Sequence, residues 1–220
     1  MAFDASPTEL QFHPPPLVSV SSPSPSHYFS PGRHFYVAVD KIHFKMETLV
    51  DLLGVTGQRP NLPIAVCCSS RDELDALCSV VSNLSYISLS ILYSDLSESE
   101  RGRILGEFRQ KAIEWNQNIS HPSNTIENEN SEQKSNMIVV TDACLPIVAS
   151  GEQPILARIL INFELPTKKE TYLRRMSTCL EADGIVINMV VGGEVVTLKS
   201  LEESLGFIIA EMPINIFDIL

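Results

Sequence analysis

The chain has 220 residues, of which 44% are hydrophobic, and its formal net charge is -11 with an isoelectric point near 4.9. This much apolar material supports one sizeable core and a tail, and no apolar run approaches membrane-spanning length. Because proteins bind phosphates largely through Lys and Arg that displace counterions, the acidic balance disfavours strong RNA binding and leaves only weak binding open.

The cysteine content indicates the compartment. Five cysteines are an odd number, and none of them shows the C-x-x-C spacing that is typical of metal sites. Such a set is typical of reduced thiols inside the cell. We therefore expect a nuclear or cytoplasmic protein without a structural metal ion.

Three stretches differ in composition. Residues 1–33 hold seven of the chain's 14 prolines in a Pro/Ser setting, which predicts a disordered or polyproline-II tail. Residues 34–220 are predicted to form one domain. Within it, residues 112–136 are rich in Asn, Ser and Glu without apolar periodicity, so they are interpreted as a flexible surface insertion.

Short apolar runs predict the strands of the domain. The runs cover residues 34–39, 63–68, 86–93, 137–140, 159–163 and 185–191. Most are continuously apolar and do not alternate with polar residues. This pattern is typical of strands that are buried on both faces of a parallel sheet.

Helical periodicity fills the intervals between these strands. The predicted helices cover residues 44–53, 70–81, 97–108, 168–176 and 195–205. The third begins with Ser97 and Glu100 at the spacing of a capping box. Strands that alternate with helices through right-handed crossovers predict a three-layer α/β/α sandwich with a mostly parallel central sheet.

Several motifs occur in one order along the chain. Residues 94–101 read Ser-Asp-Leu-Ser-Glu-Ser-Glu-Arg, and residues 160–166 read Leu-Ile-Asn-Phe-Glu-Leu-Pro. Residues 185–190 read Ile-Val-Ile-Asn-Met-Val, and residues 210–215 read Ala-Glu-Met-Pro-Ile-Asn. Together they resemble the C-terminal RecA-like domain of DEAD-box RNA helicases, of the translation-initiation and exon-junction type. The resemblance covers residues 34–220 and implies a RecA-like fold.

The first departure from that family lies in its T-D-x-x-A-R-G-x-D stretch. Thr141 and Asp142 match the first two positions of this stretch. The later Arg and Asp of the family align with Pro146 and Ala149, and a four-residue insertion follows. The resemblance places Asp142 near the nucleotide, whereas its position alone also fits a strand-end cap.

The second departure concerns the arginines of the family's H-R-x-G-R-x-x-R stretch, which stabilise the transferring phosphoryl group and are worth roughly 10³–10⁵ in rate. Arg174 replaces the His, Arg175 matches the first Arg, and Thr178 stands at the second. The third position falls near Glu181, whose carboxylate we expect to repel a triphosphate. Asp142, Arg174 and Arg175 are thus a vestigial nucleotide site, and the alternative is that both arginines are ordinary surface or strand-edge residues.

Catalytic parts of the family are missing from the sequence. The 220 residues contain no G-x-x-x-x-G-K-[ST] loop to hold phosphates and no D-E-A-D segment to hold magnesium. In the family these parts belong to the preceding RecA-like domain. We expect no catalytic residues, at most vestigial ATP binding, and no ATP-dependent helicase activity from this chain alone.

The resemblance also implies a possible RNA surface. The family's contacts to the RNA backbone correspond to Ser69, Ser70, Arg71, Ser94 and Thr141, which offer hydroxyls and one guanidinium to phosphates. However, Ser94 adds a side chain where the family keeps Gly for close approach. Ser69 and Ser70 also fit an ordinary helix N-cap.

Two classes of function are therefore expected. The first is a non-catalytic protein-interaction or regulatory module that binds a protein partner, such as a helical-repeat scaffold or a helicase complex. The alternative is an RNA-binding factor that completes a composite ATP-dependent helicase with a separate motor domain. A basic groove beside Arg71, Thr141 and Arg175 would favour RNA, and an acidic face there would favour protein docking.

Overall fold

The computed structural model describes residues 33–57, 59–120 and 134–219. Seven strands form one sheet in the order β3-β4-β2-β5-β6-β1-β7, and all neighbouring pairs are parallel. The strands are β1 (His34–Val39), β2 (Pro63–Cys68), β3 (Ile87–Leu92), β4 (Ser135–Thr141), β5 (Ala157–Asn162), β6 (Leu180–Val191) and β7 (Ala210–Glu211). The helices are α1 (Lys45–Thr56), α2 (Arg71–Val81), α3 (Glu98–Ser120), α4 (Lys169–Cys179) and α5 (Val195–Leu205).

Helices cover both faces of the sheet, which confirms the predicted α/β/α sandwich. On one face α1 and α2 pack against the strands through residues such as Leu49 and Leu77. On the other face α3, α4 and α5 contribute residues such as Leu105, Tyr172 and Leu198. All six residues of β2, at the centre of the sheet, are buried. Continuous apolarity in this strand therefore reflects burial on both faces.

Local signals at the helix ends also match the sequence. Ser70 caps α2 by accepting a hydrogen bond from the Glu73 backbone N–H at 3.2 Å. The Ser97 hydroxyl accepts from the Glu100 N–H at the start of α3. Gly206 ends α5 with φ of 79°, a left-handed conformation that is accessible to glycine without a steric penalty.

The helix α3 is much longer than predicted, and the predicted insertion at 112–136 is correspondingly wrong at its start. Residues 112–120 are helical, because Ala112 and Trp115 continue the apolar stripe of Leu105 and Phe108 and are buried. The end of the insertion also differs, since β4 already begins at Ser135. The remainder, residues 121–133, and the predicted tail at 1–32 lie outside the described residues.

Three properties bear on the class of protein. Among the helices in the described ranges, none has the length and apolarity needed to cross a membrane. All five cysteines are buried and carry free thiols. Across the same ranges no group of three or more His, Cys, Asp or Glu side chains is arranged to hold a metal ion.

The extension of α3 should contribute to stability through Trp115, which is 6% exposed. Replacing Trp115 with Ala removes a large buried side chain and should lower the free energy of unfolding by about 3–5 kcal/mol. Ile119 lies one turn further along α3 and is 56% exposed, so Ile119→Ala is the matched control. This substitution should change the free energy of unfolding by less than about 0.5 kcal/mol. Equal effects in chemical denaturation would contradict the packing of this helical segment.

Candidate functional site

The candidate residues converge at the carboxyl edge of the sheet. Ser69 follows β2, Asp142 follows β4, and Glu164 lies two residues after β5. Because β2 lies between β4 and β5, these three positions are brought side by side. The helix α4 supplies Arg175 to the same place. This edge is where open parallel sheets usually bind ligands.

Arg175 is the centre of this site, and its side chain is 0% exposed. Its Nε and Nη2 donate to the two carboxylate oxygens of Asp142, both at 2.7 Å. Nη1 donates to the Asn162 side-chain oxygen at 3.0 Å and to the Glu164 carbonyl at 2.8 Å. Nη2 also donates to the Ser69 hydroxyl at 3.3 Å. A guanidinium has five N–H donors, and all five are used within the protein.

The charge of Arg175 is balanced by Asp142. Burial by itself would lower the pKa of Arg175, but the hydrogen bonds and charge of Asp142 outweigh it and raise that pKa. Arg175 is therefore always cationic, and Asp142 neutralises it in a bidentate pair. The expectation that Arg175 is an ordinary surface or strand-edge residue was wrong, since its environment is that of a buried structural ion pair. Asp142 binds a side chain and does not cap the strand.

Two asparagines extend the site across the sheet, and only their place in the family motifs had drawn attention to them. Asn162 on β5 donates to the Asn188 side-chain oxygen on β6 at 2.8 Å. Asn188 in turn donates to the Phe35 carbonyl at 2.9 Å and to the Tyr172 hydroxyl at 3.3 Å. Both asparagines are 0% exposed. An amide inside an otherwise apolar strand is the signal that could have identified them.

The network ends at His34 on β1. Its Nδ1 lies 2.9 Å from the Tyr172 hydroxyl, and its ring stacks on Phe207 with centroids 4.3 Å apart. Burial lowers the pKa of His34 to about 4, so the imidazole is neutral at physiological pH. Burial raises the pKa of Tyr172, which keeps its hydroxyl protonated. This end of the network is neutral and structural.

The other positions of the arginine motif do not face this site. Arg174 is exposed and Thr178 is buried, where its hydroxyl donates to the Arg174 carbonyl at 2.7 Å. Glu181 pairs with Arg158 at 3.1 Å beside the start of β5, at the opposite end of that strand from Asn162. The expectation that Glu181 repels a triphosphate was therefore wrong, because α4 leads directly into β6 and carries this carboxylate to the amino edge.

The five possible RNA contacts lie along one edge, but most of their polar groups have partners. Ser69 accepts from Arg175 through its hydroxyl, while its backbone N–H donates to the Glu164 carboxylate. Ser70 is an N-cap, as the alternative interpretation expected. Thr141 is 7% exposed and donates to the Cys144 sulfur at 3.3 Å. Ser69, Ser70 and Ser94 are all exposed, whereas Thr141 is buried.

Arg71, the one cation of this set, is held by carboxylates. Its guanidinium lies 3.4 Å from Asp95 and 3.9 Å from Asp75, and it stacks over the Tyr93 ring at 4.9 Å. Asp72 adds a further exposed negative charge beside it. The immediate surroundings of Arg71 are therefore acidic.

The loop that follows Asp142 carries the inserted residues and is fixed by α3. Arg101 donates to the Cys144 carbonyl at 2.9 Å and pairs with Glu152 at 3.4 Å. Glu152 also accepts from the Ile147 backbone N–H. The tip of this ordered loop exposes two apolar side chains, Ile147 at 58% and Val148 at 45%.

The sequence of the chain is similar to those of known initiation factors. No protein-family model matches the chain. Eukaryotic initiation factor 4A of Cryptosporidium parvum is 27% identical over 190 residues, which cover 86% of this chain and 40% of that protein. The probable eukaryotic initiation factor 4A of Trypanosoma brucei brucei is 29% identical over 185 residues, which cover 83% of this chain and 38% of that protein. The chain thus spans about two fifths of the curated relatives that it matches.

Solved structures agree with these relatives. The C-terminal domain of the DEAD-box protein Dbp5 has a TM-score of 0.57 at 18% identity, covering 84% of this chain and 92% of that chain. The DEAD-box protein SrmB of E. coli has a TM-score of 0.58 at 18% identity, with coverage of 83% and 91%. Homologues and structural neighbours are C-terminal domains of DEAD-box helicases, and the sheet has their RecA-like α/β fold.

The ion pair between the buried Arg175 and the partly exposed Asp142 should be important to stability. Arg175→Met leaves the partners of the guanidinium unsatisfied, so it should lower the free energy of unfolding by about 3–5 kcal/mol. The exposed neighbour Arg174 supplies the control, since Arg174→Met should change the free energy of unfolding by less than about 0.5 kcal/mol. In the Arg175→Met variant, Asp142→Asn should lower the free energy of unfolding much less than it does in the wild-type protein. Additive effects in this double-mutant cycle would show that the two side chains act independently.

The buried His34 should make stability depend on pH. The unfolded chain binds a proton with a pKa near 6.5 and the folded chain with a pKa of about 4, so falling pH favours the unfolded state between these values. This single group should remove roughly 3 kcal/mol of unfolding free energy between pH 6.5 and 4. His34→Phe should lack this component, whereas the exposed control His43→Phe should keep it. Denaturation curves of equal pH dependence in all three proteins would refute the assignment.

Proposed function

We propose that this domain is a non-catalytic, helicase-derived module that binds a protein partner through the carboxyl edge of its sheet. The observation that carries the proposal is the internal use of all five Arg175 donors. A guanidinium that stabilises a transferring phosphoryl group must present N–H groups to its oxygens. Arg175 has no donor left for that role, and Thr178, at the second Arg position of the motif, is buried and donates its hydroxyl to its own helix. We assign no nucleotide cofactor to the domain.

The surface character of the edge supports protein binding over RNA binding. Arg71 lies within 4 Å of Asp75 and Asp95 and is followed by the exposed Asp72, so a phosphate group approaching Arg71 would meet net negative charge. The exposed apolar tip formed by Ile147 adjoins the same edge. Protein interfaces commonly combine an apolar centre with a polar rim.

The partner that fits this surface has an apolar pocket bordered by Lys or Arg side chains. Positive residues on the partner would complement the carboxylates and orient the complex. Structural neighbours are known in protein complexes, because a Dbp5 C-terminal domain has been solved with Gle1 and SrmB with regulator of ribonuclease activity A. By the resemblance, a helical-repeat scaffold or a helicase complex is the kind of partner that we propose here.

The test is a pull-down with the purified 220-residue protein, with RNase and without nucleotide, followed by identification of the retained protein. Binding of that purified protein should then weaken at least about tenfold when Ile147 and Val148 are both replaced by Asp, since two charges would be buried at the contact. Ile119→Asp is the control, because Ile119 is 56% exposed on α3, away from this loop, and should leave binding unchanged.

Two results would contradict the proposal. Loss of every retained protein on RNase treatment, together with tight RNA binding by the purified chain, would favour the composite-helicase alternative. RNA-stimulated ATP hydrolysis that the surface variant Arg174→Ala abolishes would show that the domain is catalytic.

A further inference from the structure

One edge of the sheet is only half covered. The outermost strand β7 pairs with Phe35 and Tyr36 of β1, and the Met212 backbone N–H donates to the Tyr36 carbonyl at 2.9 Å. The chain then reaches Pro213, which has no N–H to continue the ladder. Peptide groups alternate in direction along a strand, so the N–H and C=O of Ala38 point the same way as those of Tyr36. Among the described residues, none pairs with Ala38 on that side.

An apolar groove runs along the uncovered part of this edge. It has a volume of about 480 Å³ and lies between β1, the end of β6 and the start of α5. Apolar side chains dominate its lining, and Val195 on its α5 wall is 49% exposed. The lining includes Ala38, Val39, Val190, Val195 and Leu198. A free strand edge beside an apolar groove is the arrangement that accepts an added strand, with backbone hydrogen bonds and pockets for alternate side chains.

We propose that residues 17–20 of this same chain add to the edge of β1 as a short antiparallel strand. These residues read Leu-Val-Ser-Val and are the apolar, β-branched run of the 32 residues that precede Arg33. Val18 and Val20 share one face of such a strand and enter the groove. Pro16 and Pro23 bound the run, so its length matches the few free residues of β1.

The connection is long enough for this return. Ala38 lies five residues along β1 from Arg33, about 17 Å at the rise of a strand. Residues 21–32 can span up to about 40 Å, which allows the chain to pass around β7 and reverse direction. Residues 10–32 contain no Asp, Glu, Lys or Arg, so they bring no charge repulsion to Asp40 and Glu211 at this edge. The composition of the tail predicts no independently folded unit, but a strand of four residues can pair with β1 without one.

Residue-resolved amide hydrogen exchange tests the proposal on the full chain. The Ala38 amide should exchange at least about tenfold more slowly than in a protein that begins at Arg33. Val18→Asp together with Val20→Asp should abolish this difference. Ser24→Asp together with Ser26→Asp adds the same charge outside the run and should preserve it. The Ile187 amide, inside β6, should stay protected in every variant and serves as the folding control.

A peptide of residues 14–24 should restore slow exchange at Ala38 when it is added to the shortened protein. Equal exchange of Ala38 in the full and shortened proteins would overturn the proposal. Protection that is lost on dilution of the full chain would also overturn it, because it would identify a second copy as the occupant. Protection that survives the Val18 and Val20 substitutions would assign the edge to another segment.

Discussion

A permanent positive charge without solvent contact is tolerated only when the surrounding groups replace its hydration, and Arg175 is such a charge. Its five donors draw together the ends of β2, β4 and β5 and fix α4 against them. The two buried asparagines transmit this order across β6 to β1. One side chain therefore holds the carboxyl edge of the sheet in register, and partial removal of the network should be more damaging than its complete replacement.

The same interaction supports the proposal that the domain is non-catalytic. Here all five donors of Arg175 are taken up by the framework, and the two residues that align with the other motif arginines, Thr178 and Glu181, point away from this edge. Thr178 satisfies its hydroxyl on its own helix, and Glu181 has been taken into an ion pair with Arg158. We infer that the remaining similarity reflects the packing of the sheet and not the chemistry of phosphoryl transfer.

Sequence patterns predicted the sheet well, because burial on both faces imposes a simple rule on each strand. The limits of β1 and β2 and of α5 were predicted to the residue. The end of α3 was missed, since an Asn- and Ser-rich composition obscured the stripe that continues to Trp115. The burial of Arg175 was not predictable, because it requires partners from three other segments of the chain, at the ends of β2, β4 and β5. The position of Glu181 was predicted wrongly because a motif alignment does not show the direction of the chain. Here α4 leads directly into β6 and carries Glu181 to the amino edge of the sheet.

Arg175 must have no donor available to a ligand if its guanidinium is purely structural, and nitrogen-15 NMR of its Nε–H group measures this directly. A guanidinium that is fully buried and paired should give a slowly exchanging Nε–H signal, assignable by its loss in Arg175→Lys. We predict that magnesium-ATP at millimolar concentration, with or without RNA, leaves the position and exchange rate of this signal unchanged. A saturable shift of the signal, with faster exchange of its proton, would show that the pair with Asp142 opens to phosphate and would contradict the central claim.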